Sequence, residues 1–224
     1  MMRPRICVAI PAYTLSQTLR AVKRAGSPDL IEIRLDYRRE TIPPKAVRDQ
    51  TSTPLIATNR CKSQGGYAAE DEVSRVRLVA EACEAGFEYG DVELSSGMLG
   101  KALQRIREAG SKGIVSCHDH RRTPCISELV AMHVEAERAG ADIVKLVGTA
   151  VNPLDNLRYL EYLSRHPGNV SFGMGAHGTL SRVMSPLVGG AFTYASAERG
   201  EESASGQLTL GEMLCIYRAM GVEA

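Results

Sequence analysis

Short apolar runs recur along the chain at 6–10, 30–35, 55–58, 89–94, 113–117, 142–147, 169–173 and 191–194. Each is followed by a stretch with helical periodicity, and the runs begin roughly 22 to 34 residues apart, the pitch of a βα unit. Helix punctuation falls between them. Thr123-Pro124 is expected to supply an N-cap and a first-turn proline, after which Ile126, Leu129, Val130 and Val134 share one face and Gly140 ends the helix. Asn152-Pro153 repeats the start signal and His166-Pro167 the stop. Thr209 with Glu212 reads as a capping box ahead of Met213, Leu214 and Tyr217. Eight such units with no break in composition predict a (β/α)8 TIM barrel, with residues 1–224 as one domain. The competing architecture is an open doubly wound sheet, but no G-x-G-x-x-G follows the first run.

Composition narrows the class without changing it. With 224 residues, 44% of them hydrophobic, the chain can bury a barrel-sized core. Its net charge is +1 and it has no long Lys/Arg run, which argues against nucleic-acid and membrane partners. The six cysteines are scattered with no C-x-x-C pair, unlike a disulfide scaffold or a structural zinc site, and fit reduced thiols in a reducing cytosol. The first ten residues are too short an apolar stretch for a signal peptide, and no segment approaches the ~20 apolar residues of a membrane span. A cytoplasmic location is expected.

The chemistry lies where charges interrupt the apolar runs. In 30–35, alternation turns Ile31, Ile33 and Leu35 toward the helices and sets Glu32, Arg34 and Asp36 together on the inner face. Three ionised groups inside a barrel are costly unless they pair or bind something. A salt-bridge plug would meet that demand; so would a substrate site at the C-terminal strand ends, where this fold builds its sites. In 142–147, Lys145 stands among apolar residues. Burial disfavours an ammonium, and a neutral amine is the nucleophile that forms a Schiff base with a carbonyl. The plainer account is a lysine that ends the strand and reaches back to solvent.

A third strand end carries Ser116-Cys117-His118-Asp119-His120, and alternation points His118 at the barrel mouth as a candidate acid and base. His118-x-His120 also looks like a metal-ligand pair, but barrel metallohydrolases carry theirs on the first strand, where 6–10 has none; neither metal nor cofactor is expected. In the loop 171–182, glycines permit tight turns near a ligand and Arg182 offers a bidentate fork to an anion, although a phosphate loop would read the same way. The small polar stretch 202–207 reads as a mobile loop able to fold over a substrate.

In order along the chain, Glu32-x-Arg34-x-Asp36, Arg60 followed by Gly65-Gly66, Ser116-Cys117-His118-Asp119, Lys145, Met174 through Ser181-Arg182, and Ser203 with Gly206-Gln207 resemble type I 3-dehydroquinate dehydratase. The resemblance covers nearly the whole chain. It implies a cofactor-free, homodimeric shikimate-pathway enzyme that dehydrates 3-dehydroquinate to 3-dehydroshikimate. It further implies that Lys145 forms an imine with the C3 ketone and that His118 removes the C2 proton and assists loss of the C1 hydroxyl. Arg182 would pair with the substrate carboxylate. Glu32, Arg34, Arg60, Ser203 and Gln207 would hold the ring hydroxyls and carboxylate, with Asp36 a supporting charge.

Two positions depart from the family pattern. Gln64 stands where a glutamate near the catalytic histidine is common, and Ser205 where a proline is familiar. An amide can orient an imidazole but cannot offset imidazolium charge, so either Asp91 or Glu93 takes over or His118 works with a lower pKa. The alternative enzyme is a class I aldolase acting on a keto-deoxy sugar acid, which shares the lysine but adds a phosphate site or a tyrosine acid near the amine. No strand-end tyrosine is expected beside Lys145, with Tyr194 held open. A non-catalytic binding module is disfavoured because Lys145, His118 and Arg182 are all present.

Overall fold

A computed structural model describes residues 3–69 and 71–223. Strands and helices alternate along them: β1 Ile6–Pro11, α1 Leu15–Arg24, β2 Leu30–Arg34, α2 Pro44–Arg48, β3 Leu55–Thr58, α3 Glu72–Glu84, β4 Tyr89–Glu93 and α4 Leu99–Glu108. The second half adds β5 Lys112–Asp119, α5 Ile126–Ala139, β6 Ile143–Thr149, α6 Asn156–Arg165, β7 Val170–Met174, α7 Thr179–Met184, β8 Thr193–Ser196 and α8 Leu210–Ala219. All ladders are parallel, in the order β7-β6-β5-β4-β3-β2-β1-β8. β7 and β8 share no ladder; at the start of that seam Ala191 N donates to Asn169 O at 2.8 Å. The result is the nearly closed (β/α)8 barrel that the sequence pattern predicts.

Strand alternation divides the apolar residues into two layers. Val8, Ile31, Ile33, Val115, Val144 and Leu146 pack outward against the helices. Cys7, Leu30, Ile56, Ile114, Val170 and Phe172 fill the barrel interior. That inner layer is an apolar floor, and the charged strand ends stand on it.

The helix signals hold with one correction. Gly140 ends α5 in the left-handed conformation at φ 96°, His166 ends α6, and Thr209 with Glu212 forms the capping box of α8. Asn152 caps a short 3-10 turn, Pro153–Asp155, that leads into α6. Thr123, however, does not cap α5: the cap is Cys125, whose backbone N–H donates to Glu128 at 2.7 Å. The Thr123 hydroxyl is engaged inward, donating to Thr149 O at 3.0 Å and accepting from Tyr159 at 3.0 Å. The buried face of α5 is accordingly Leu129, His133 and Ala136. β2 also stops one residue early, because Leu35–Tyr37 turns into a 3-10 helix that carries Asp36 beneath Arg34.

Candidate active site

The inward face of the strand ends is polar on several neighbouring strands. Register sets Glu32 beside Ile56, Thr58 beside Asp91, Glu93 beside Ser116, and Ser116 beside Lys145. The Lys145 ammonium nitrogen is buried and donates to three acceptors: Glu32 Oε1 at 3.1 Å, Asp91 Oδ2 at 3.0 Å and the Tyr194 hydroxyl at 2.9 Å. Three acceptors, two of them carboxylates, match the three donors of an ammonium. Lys145 is therefore neither a strand-end lysine reaching solvent nor an amine among purely apolar walls.

The two carboxylates are held as anions by their neighbours. Burial pushes the Glu32 carboxyl up, but Lys145 and Arg34 outweigh it and the net position is below the ordinary value. Asp91 is likewise raised by burial and lowered further by Arg60 and Lys145, ending well below the usual carboxylate range. Arg60 binds Asp91 at 2.7 Å and Ser116 at 2.6 Å, with Glu93 3.4 Å away. Arg34 forms a bidentate pair with Asp36 at 2.9 and 2.7 Å, the supporting contact expected of Asp36.

Arg182 is the exception among these cations. It is 1% exposed, and neither Nε nor Nη2 has a hydrogen-bond partner among the described residues. Its guanidinium lies 4.4 Å over the Phe172 ring, and burial lowers its pKa from the ordinary arginine value to about 10. The start of α7 is fixed beneath it: Ser181 Oγ accepts from Gly173 N at 2.9 Å, and Ser181 N donates to Asn156 at 2.9 Å. A buried guanidinium with free donors is a site for an oxyanion.

His118 lines the same space with Nδ1 buried and unpartnered among the described residues. Burial, then Arg60 and Lys145, hold its pKa well below the ordinary histidine value; Asp91 opposes them without prevailing. No hydrogen bond joins its ring to Asp91 or Glu93. Gln64 accepts from the His118 backbone N–H at 2.6 Å, so its amide fixes the strand end rather than the ring.

Lys145, His118, Glu32, Arg34, Arg60, Arg182, Ser203 and Gln207 all line one cavity of about 360 Å³, walled by Phe172, Met174 and Tyr194. Gln207 Oε1 accepts from Ser203 N at 2.9 Å, and Ser205 O accepts from Gly175 N at 3.0 Å, docking the loop at 202–207 onto the one that follows β7. Among the described residues no three His, Cys, Asp or Glu side chains gather as a metal site.

Residues 6–224 match the model of the family described as Type I 3-dehydroquinase. The chain belongs to that family. It is 35% identical over 225 residues to the 3-dehydroquinate dehydratase of Dehalococcoides mccartyi, covering 100% of this chain and 99% of that protein. It is 36% identical over 220 residues to that of Desulfotalea psychrophila, covering 95% and 96%. Among solved structures, the 3-dehydroquinate dehydratase of Geobacillus kaustophilus superposes with a TM-score of 0.89 at 26% identity, over 97% of this chain and 92% of that one. The type I enzyme of Clostridium difficile with covalently modified comenic acid gives 0.89 at 25% identity, over 98% and 93%. The enzyme is thus a 3-dehydroquinate dehydratase, a hydro-lyase.

Two site residues went unassigned from sequence. Asp91, expected at most as a partner for His118, grips Lys145; the alternation of Asp91 and Glu93 along β4 repeats that of β2 and is the sequence signal for it. Tyr194 corrects an explicit expectation. A tyrosine does stand beside the amine, brought there because Tyr194 lies on the inner face of β8, next to Cys7 of β1.

Proposed function

We propose that dehydration proceeds through an imine between Lys145 and the C3 ketone of 3-dehydroquinate. The observation that carries it is one cavity holding both a buried amine and a buried guanidinium with unfilled donors. The amine suits a ketone and the guanidinium a carboxylate, and the substrate is a keto acid. Arg182 takes the carboxylate, which orients the ring and places the ketone at Nζ. Glu32, Arg34, Arg60, Ser203 and Gln207 hold the remaining oxygens. The covalently modified ligand of the Clostridium difficile relative supports a site of this class that bonds to small organic acids.

Once formed, the iminium draws electrons from C2. His118 is the base: its depressed pKa keeps the imidazole neutral at neutral pH, with Nδ1 free. It removes the C2 proton, the electron pair moves into the conjugated system, and the same proton returns to the C1 hydroxyl, which leaves as water. Hydrolysis of the imine frees 3-dehydroshikimate and Lys145. Proton and oxygen balance without any redox step.

The test is trapping. Borohydride added with 3-dehydroquinate is expected to inactivate the enzyme and leave a covalent adduct on Lys145, while Lys145→Ala gives no adduct and no turnover. Equal inactivation of the Lys145→Ala variant would overturn the imine assignment.

A further inference from the structure

Lys145 has a third neighbour to which the dehydration steps give no task. The Tyr194 hydroxyl accepts from Nζ at 2.9 Å and donates to Glu32 Oε1 at 3.1 Å, and Nζ stands 4.3 Å from the ring centroid. Phe172 and Phe192, with centroids 5.9 and 5.6 Å away, hold the ring in place. Asp91 is already bound by Arg60 and Ser116, and Glu32 by Thr58. Among the described residues, Lys145 is the one donor that reaches the Tyr194 oxygen. Burial, reinforced by Glu32, pushes the phenol pKa well above its ordinary value, so the hydroxyl keeps its own proton.

Imine formation changes what the nitrogen requires of its surroundings. An ammonium has three N–H bonds. When it condenses with a ketone, a C=N bond forms and the ketone oxygen leaves as water with two of those protons. The iminium keeps one N–H and the positive charge. Three acceptors then face a single proton.

We propose that Tyr194 is the positioning residue of the imine: its hydroxyl accepts the surviving N–H, its ring faces the charge, and its own proton stays directed at Glu32. This rests on the imine proposed for Lys145. After the other two protons depart, Glu32 keeps Thr58 and Tyr194 as donors and Asp91 keeps Arg60 and Ser116, so neither carboxylate becomes a bare buried anion. The phenol thereby favours the protonated imine, the form that withdraws electrons from C2.

Tyr194→Phe removes the hydroxyl and retains the ring with its aromatic contacts. A hydrogen bond to a charged group predicts a kcat lower by about 10- to 100-fold, with KM within about threefold of wild type. The alkaline limb of kcat moves to lower pH, because an iminium that lacks an acceptor releases its proton more readily. Replacing Tyr194 with 3-fluorotyrosine, which keeps the packing and weakens the oxygen as an acceptor, moves the limb the same way by less. Borohydride trapping of wild type is run alongside. No wild-type adduct would defeat the imine and this proposal together. A wild-type adduct combined with an unmoved alkaline limb in the fluorotyrosine protein, or an unchanged kcat in Tyr194→Phe, would overturn the tyrosine's role alone.

Discussion

Replacing Arg182 with methionine is expected to move stability and activity in opposite directions. The guanidinium is 1% exposed and has two unpartnered nitrogens. Burial lowers its pKa from the ordinary arginine value to about 10, and at about 1.4 kcal/mol per pH unit the charged form costs the free protein about 3 kcal/mol. Contact with Phe172 at 4.4 Å returns about 1–2 kcal/mol of that and is lost in the variant. A buried charge replaced by an apolar chain of similar length should therefore leave the unliganded protein about 1–2 kcal/mol more stable. The sign follows from linkage. A folded-state pKa below the unfolded one means that the cost is full below about pH 10 and fades as pH rises toward the ordinary arginine value. Neutral pH is thus where the stabilisation is greatest.

The substrate sees the reverse. In the proposed pairing of the substrate carboxylate with the guanidinium, a desolvated charge pair forms, and removing one partner of such a pair costs about 3–5 kcal/mol, or roughly two to four powers of ten in kcat/KM. Urea unfolding of unliganded wild type and Arg182→Met at neutral pH gives the first quantity. The rise in ultraviolet absorbance as the conjugated enone of 3-dehydroshikimate forms gives the second. A variant less stable than wild type by more than about 1 kcal/mol would show that Arg182 belongs to the scaffold, beyond the usual scatter of a surface change. A kcat/KM within about tenfold of wild type would remove it from carboxylate binding.

Two further changes probe the walls of the cavity. Gln64→Glu puts a carboxylate at the group that now accepts from the His118 backbone N–H; this favours imidazolium, so the acid limb of kcat/KM should move to higher pH while turnover persists, and an unchanged profile would mean position 64 is not coupled to the ring. Gly206→Ala adds a Cβ that would lie 2.2 Å from Gly175 O at a residue with φ +76°, lifting the loop that carries Ser203 and Gln207; KM should rise about tenfold, more than kcat falls, and steady-state kinetics with an unchanged KM would refute that docking.

Much of this molecule is written in local patterns. A two-residue period fixes which side of a strand each residue faces, so Ile31 and Ile33 outside with Glu32 and Arg34 inside followed from sequence alone. The same rule applied to β4 and β8 would have placed Asp91 and Tyr194 inside too. They are harder to see because a carboxylate before Val92 and a tyrosine beside Ala195 do not stand out in composition as a lysine between Val144 and Leu146 does. The cap of α5 failed for a different reason. Thr123 is the favoured capping type before Ile126 locally, and the outcome lies with Tyr159 and Thr149, far away in sequence, which engage the Thr123 hydroxyl. Nor could a linear pattern say which arginine lacks a partner, since that depends on every strand end at once.

In the proposed function, that last property carries the chemical selectivity. Arg34 is matched by Asp36, Arg60 by Asp91 and Glu93, and Lys145 by Glu32 and Asp91. Each pair lowers the cost of its own burial and leaves little attraction for an incoming anion. Among the described residues Arg182 is the one guanidinium lining the cavity with no carboxylate partner and with buried nitrogens left unpaired, which makes it the proposed destination of a carboxylate. A ketone without an acid group would reach the amine while leaving that guanidinium desolvated and unpaired, whereas the keto acid satisfies both ends together. On the proposed roles of Arg182 and Lys145, the desolvation cost carried at Arg182 in the free enzyme is relieved when the acid end binds, which holds the ketone end against the amine, so one residue would set both the cost of the empty site and the orientation of the filled one.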